Sequence, residues 1–131
     1  MHYVILYLAS AIVFFAADFV WLSTMADRVY RPALGDMMLD KPNLPVAGGF
    51  YLVYLIGLLV LVTAPAAGDV GKALWMGALF GFVAYGTYDL TNLSTLRGWS
   101  LSVTLVDLAW GTALTGVAAV SGFFLTQHFL R

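Results

Sequence analysis

The sequence predicts an all-α polytopic membrane protein, with four transmembrane helices and a short interfacial helix in the first loop, forming a single domain over residues 1–131. Three observations lead there. The chain is 62% hydrophobic and only 10% charged, whereas soluble domains carry about 25% charged residues, so it could not cover a water-exposed surface. Its apolar residues gather into four runs, each close to the length that a hydrocarbon layer about 30 Å thick demands. The few acids inside those runs sit at one depth.

The first helix is predicted over about 3–25, with Asp18 as its one charge. No Lys or Arg precedes the run, and it continues past Asp18 through Met25. Both features depart from a signal peptide, so the helix reads as retained. The link that follows holds Asp27, Arg28, Arg31, Asp36, Asp40 and Lys41 with Pro32, Pro42 and Pro45. Pro32 at a first-turn position, followed by ALGDMML, predicts the short helix lying at the interface.

The second helix is predicted over about 46–64, uncharged and closed by Pro65. A tight link leads to Asp69, read as the N-cap of a third helix over about 70–90. The next link carries Thr91, Asn92, Arg97 and Gly98, with Trp99 as an interfacial anchor. The fourth helix, about 101–126, has only Asp107 as a charge. The face with the first and third links carries Arg28, Arg31, Lys41 and Arg97, against Lys72 and Arg131 on the other. That bias predicts the first and third links in the cytoplasm and both termini outside.

Composition also excludes. A net charge of −1 leaves nothing basic enough for a nucleic-acid partner. Without Cys there is no disulfide framework and no thiolate chemistry. No serine elbow, His-Glu-x-x-His or phosphate loop is present, so no catalytic residue, metal ligand or cofactor is assigned. His2 and His128 share the terminal face, but without further ligands they read as interfacial residues rather than a metal or haem pair.

Counting residues places the acids. Asp18 lies seven residues before the end of the first helix, Asp89 at the end of the third and Asp107 six residues into the fourth. All three therefore fall within roughly 10 Å of one membrane surface. Asp18 and Asp107 each have a tryptophan at i+3, Trp21 and Trp110, on the same helix face; Asp89 has Asn92 there. Tyr51, Tyr54, Tyr85 and Tyr88 bring phenols to the same depth. Each element has an ordinary reading: aromatic residues form interfacial belts, and a single Asp can staple neighbouring helices. Three acids at one depth, with cations only at Arg97 and in the first link, point instead to a functional cluster. Its candidate ligand- or ion-binding residues are Asp18, Trp21, Tyr51, Tyr54, Tyr88, Asp89, Asn92, Asp107 and Trp110. Gly77-x-x-x-Gly81 fits close helix approach, within the bundle or as the seam of a homo-oligomer.

The string Tyr88-Asp-x-Thr-Asn-x-x-Thr-Leu96, with Trp99 and then Val106-Asp-x-x-Trp-Gly111, resembles a bacterial family of small four-helix membrane proteins of unknown function. The turn Asp18-x-x-Trp21-Leu22, the stretch Tyr30–Gly35 and Phe50-Tyr51-x-x-Tyr54 fit the same pattern. The resemblance covers essentially the whole chain. It implies a multi-pass protein of the bacterial inner membrane, surrounded by lipid, and assigns no activity, substrate or cofactor.

Three functions compete. The first is binding or transport of a cation, a proton or a small amphiphile. The second is an accessory or lipid-modifying membrane component, whose basic loops would meet anionic headgroups. The third is a structural subunit in which the acids are interhelical staples. The first ranks slightly ahead, because three acids at one depth favour a functional cluster.

Overall fold

The computed structural model describes residues 2–129, and Arg131, which entered the charge bias, lies outside them. The described residues are all-α, with four long helices: α1, His2–Met25; α2, Leu44–Leu58; α3, Val70–Thr95; and α4, Leu101–Phe129. Three helical stretches are long and apolar enough to cross a membrane: α1 with its extension to Met37, α2 with its extension to Ala66, and α4. Helix α3 has the length, at 26 residues, but its glycines, tyrosines, Lys72 and Asp89 dilute its hydropathy. The composition therefore supports three spans directly, where the sequence predicted four.

Polarity is arranged inside out. Phe19 (74% exposed), Ile12, Val60, Val83 and Leu105 face outward, while Asp89, Thr104 and Thr115 are fully buried. Such a surface suits hydrocarbon and not water.

Helix α4 is the hub, packing along α3 on one side and α1 on the other. The α3–α4 seam is close because it is lined by small residues. A Cβ on Gly77 would lie 2.9 Å from that of Ala119, and one on Gly81 would collide with the Gly111 carbonyl and the Thr115 side chain. Within one chain, the face that Gly77 and Gly81 share is occupied by α4. The apolar core, with Phe14, Leu55, Leu58, Val62, Leu114 and Ala118, lies deeper than the acids.

Two prolines explain the irregular turns. Proline lacks an N–H and its ring collides with the carbonyl four residues back, which breaks α-helical pairing. Here Pro32 follows a π-helical turn, Ala26–Tyr30, closed by the Arg31 N–H on the Ala26 carbonyl. Pro65 follows another at the same offset, Leu59–Thr63, closed by the Ala64 N–H on the Leu59 carbonyl. The wide turn accommodates each ring, so both helices run on. Pro65 accordingly does not close the second helix, which continues to Ala66 and stops where Ala67 and Gly68 turn left-handed. The predicted interfacial helix is likewise no separate element. Arg31–Leu34 is one α-turn continuing α1, followed by a 3₁₀ turn, Gly35–Met37.

At the other ends, prediction and structure agree more closely. The Asp69 carboxylate caps α3 by accepting from the Lys72 N–H at 3.0 Å. Helix α3 extends beyond its predicted end to Thr95, which places Asn92 in its last turns rather than in a loop.

Candidate functional site

Helices α1 and α4 run antiparallel, so their two Asp-x-x-Trp turns meet crosswise. The Trp110 Nε1–H donates to Asp18 Oδ1 at 3.0 Å. The Trp21 Nε1–H donates to the Tyr30 hydroxyl at 3.1 Å, and that hydroxyl donates to Asp107 Oδ1 at 2.8 Å. The two indoles stack between these bonds, their centroids 4.3 Å apart and their planes 6° from parallel. Each tryptophan thus serves the other helix's aspartate, one directly and one through Tyr30. Tyr51 of α2 stands beside Asp18 and packs edge-on against Phe14 and Phe15.

Asp89 differs. Its position ends a stripe of five residues spaced four apart on α3 (Ala73, Gly77, Gly81, Tyr85, Asp89) that faces α4. It is 0% exposed; no described N–H or O–H donor reaches its carboxylate oxygens, and the group close enough to share a proton with it is the Asp107 carboxyl. The charged group it faces is the Asp107 carboxylate. The described cations do not reach it: Arg31 pairs with Asp27 at 3.2 Å and approaches Asp40 at 4.0 Å. One turn away, the Tyr85 ring lies against Gly111, where any Cβ would overlap it. Its hydroxyl is also buried, without a partner among the described residues.

The structure therefore brings together Asp18, Trp21, Tyr51, Asp89, Asp107 and Trp110. It sets three candidates apart. Tyr54 lies deeper, its hydroxyl 2.8 Å from Thr115 Oγ1. Tyr88 is 56% exposed and meets Trp99 edge-on at 5.7 Å. Asn92 is half-buried beside Tyr88. Among the described residues no three His, Asp, Glu or Cys side chains converge closely enough to share one metal ion. The acids form a pair, Asp89 with Asp107, and a clasp at Asp18.

Tyr30 is the residue whose role the sequence concealed. It lies nine residues after Trp21, which at about 100° per residue puts it roughly 180° around a regular helix, on the wrong face. The π-helical turn absorbs one residue and returns Tyr30 to within about 80° of Trp21. Pro32, two positions on, was the available signal.

Residues 3–124 match the model of the family DUF2177, described as a predicted membrane protein. The chain belongs to that family. No curated protein and no solved structure matches it. Membership fits the apolar exterior and agrees with the resemblance read from Tyr88–Gly111, and the family description carries no activity.

Proposed function

We propose that this chain is a four-span membrane protein that binds one positive charge, a proton or a small cation, at the Asp89–Asp107 pair. The observation that carries the reading is Asp89, fully buried, with no described donor on either oxygen and a second carboxyl close enough to share a proton with it. Two carboxylates in an apolar interface repel one another and forgo hydration, and one bound positive charge relieves both penalties. The packing of the acids between helices disfavours an amphiphile.

Counting α3 as a span is supported by its length, about 39 Å at 1.5 Å per residue, and by its pairing along α4. The basic residues Arg28, Arg31, Lys41 and Arg97 support a cytoplasmic first and third link, in a bacterial inner membrane with the termini outside.

Binding is favoured over transport. Beneath the acids lies a dry layer of Phe14, Leu55, Leu58, Leu114 and Ala118, each at most 2% exposed. A second reading holds for Asp18 alone: its bond from Trp110 favours an interhelical staple.

The test is labelling in liposomes with a lipid-soluble carbodiimide, which adds to a protonated carboxyl and is located by peptide mass. Asp89 is expected to react in wild type, and Asp89→Asn to remove the adduct. If the ligand is a proton, only raising the pH slows the reaction; if it is a metal ion, added lithium, sodium or potassium slows it at fixed pH. An Asp89 that never reacts, at any pH or salt, would sink the reading.

A further inference from the structure

We propose that Tyr30 is the access-determining residue of the Asp89–Asp107 site, held over it by the π-helical turn that Pro32 imposes. The inference rests on the cation-binding reading above. Three features place Tyr30 as the cover. It comes from the link on the aqueous side of the acids, yet is itself buried. Its hydroxyl is held from both sides, accepting from Trp21 and donating to Asp107. It lies within electrostatic range of both acids of the pair.

The turn makes this placement reversible. A π-helical turn differs from an α-turn by one residue of register, and such turns recur at functional sites. If the turn relaxed to α, everything after Met25 would rotate by about 100° relative to α1. Tyr30 would leave Asp107, and the pair would face the aqueous side. Pro32 opposes that relaxation, because in α register its ring would meet the Arg28 carbonyl. The geometry thus assigns two jobs: Pro32 sets the register, and the Tyr30 hydroxyl secures it.

The pair of variants Tyr30→Phe and Pro32→Ala tests this. Tyr30→Phe removes both hydrogen bonds and keeps the ring; Pro32→Ala keeps the hydroxyl and frees the turn. Each protein, in liposomes, is treated in parallel with a lipid-soluble and a water-soluble carbodiimide, the latter with glycinamide as the nucleophile, and adducts at Asp89 are quantified. The lipid-soluble reagent is expected to label all three proteins. The water-soluble reagent should label both variants on the order of tenfold faster than wild type, the scale of losing a hydrogen bond to a charged group. Equal water-soluble rates in all three, with lipid-soluble labelling intact, overturn the cover and leave the cation site standing. Absence of lipid-soluble labelling in wild type overturns both.

Discussion

Trp21 and Trp110 stack face to face at 4.3 Å, although 89 positions of sequence separate them. Each indole N–H serves the opposite end of the clasp, so the pair ties α1 to α4 by stacking and hydrogen bonding together. Replacing Trp110 by Phe keeps an aromatic face but removes the indole donor to Asp18, leaving Tyr51 beside it. The expected cost is about 1–3 kcal/mol, that of an unpartnered buried acceptor. Adding Asp18→Leu should recover part of it, because the buried carboxylate that lost its indole donor is then gone. Thermal melts of the single and double variants in detergent micelles, followed by circular dichroism, give the coupling directly; additive losses would mean that the bond contributes nothing.

Asp18 and Asp89 should respond in opposite directions to the same conservative change. In Asp18→Asn the acceptor for Trp110 loses its charge, and stability should fall by about 1 kcal/mol. In Asp89→Asn the like-charge contact disappears, and the new amide can donate to Asp107. Stability should rise by about 1 kcal/mol or more. Higher stability after removing a buried acid is the mark of a group retained for binding. A fall in both melting temperatures would make Asp89 a staple.

How much of this arrangement a reader of the sequence can see depends on helix phase. The depth of Asp18, Asp89 and Asp107 follows from counting, and the i+3 echo of Trp21 and Trp110 could be read there, but not their crossing to the opposite helix. Tyr88 was misplaced because depth alone does not give direction. Tyr85 and Asp89 share a face at i and i+4, while Tyr88 is turned about 100° from Asp89 and looks outward. Tyr30 was hidden for the complementary reason, since a regular helix puts it opposite Trp21. The helix count shows the same limit. Asp89 and the glycines that make α3 a good partner for α4 are what lower its hydropathy.

Glycines at the α3–α4 seam should be far less tolerant than glycines elsewhere. Gly81→Ala drives a methyl into the Gly111 carbonyl, and Gly111→Ala drives one into the Tyr85 ring. Each is expected to cost about 1–3 kcal/mol or more, as overpacking does. Gly48→Ala is the matched control: it lies in α2 with open space around it, and should be neutral or gain up to about 1 kcal/mol from helix propensity. Melting temperatures of the three variants decide the point. Equal tolerance at all three sites would mean that α3 and α4 do not approach as closely as described.

The last expectation separates binding from transport. An ion leaving Asp89 for the terminal face would have to cross Phe14, Leu55, Leu58 and Leu114, apolar side chains packed around the Tyr54–Thr115 hydrogen bond. A charge in such surroundings costs several kcal/mol at the least. Purified protein in liposomes loaded with a pH-sensitive dye, under an imposed potassium gradient with valinomycin, should therefore show no proton flux above that of lipid alone. The sodium-sensitive counterpart should be equally silent. Carbodiimide labelling of Asp89 in the same vesicles should persist, showing that the protein is intact and the carboxyl reactive. A flux that appears in wild type and vanishes in Asp89→Asn would reverse the assignment, because the dry layer would then have to open during each cycle.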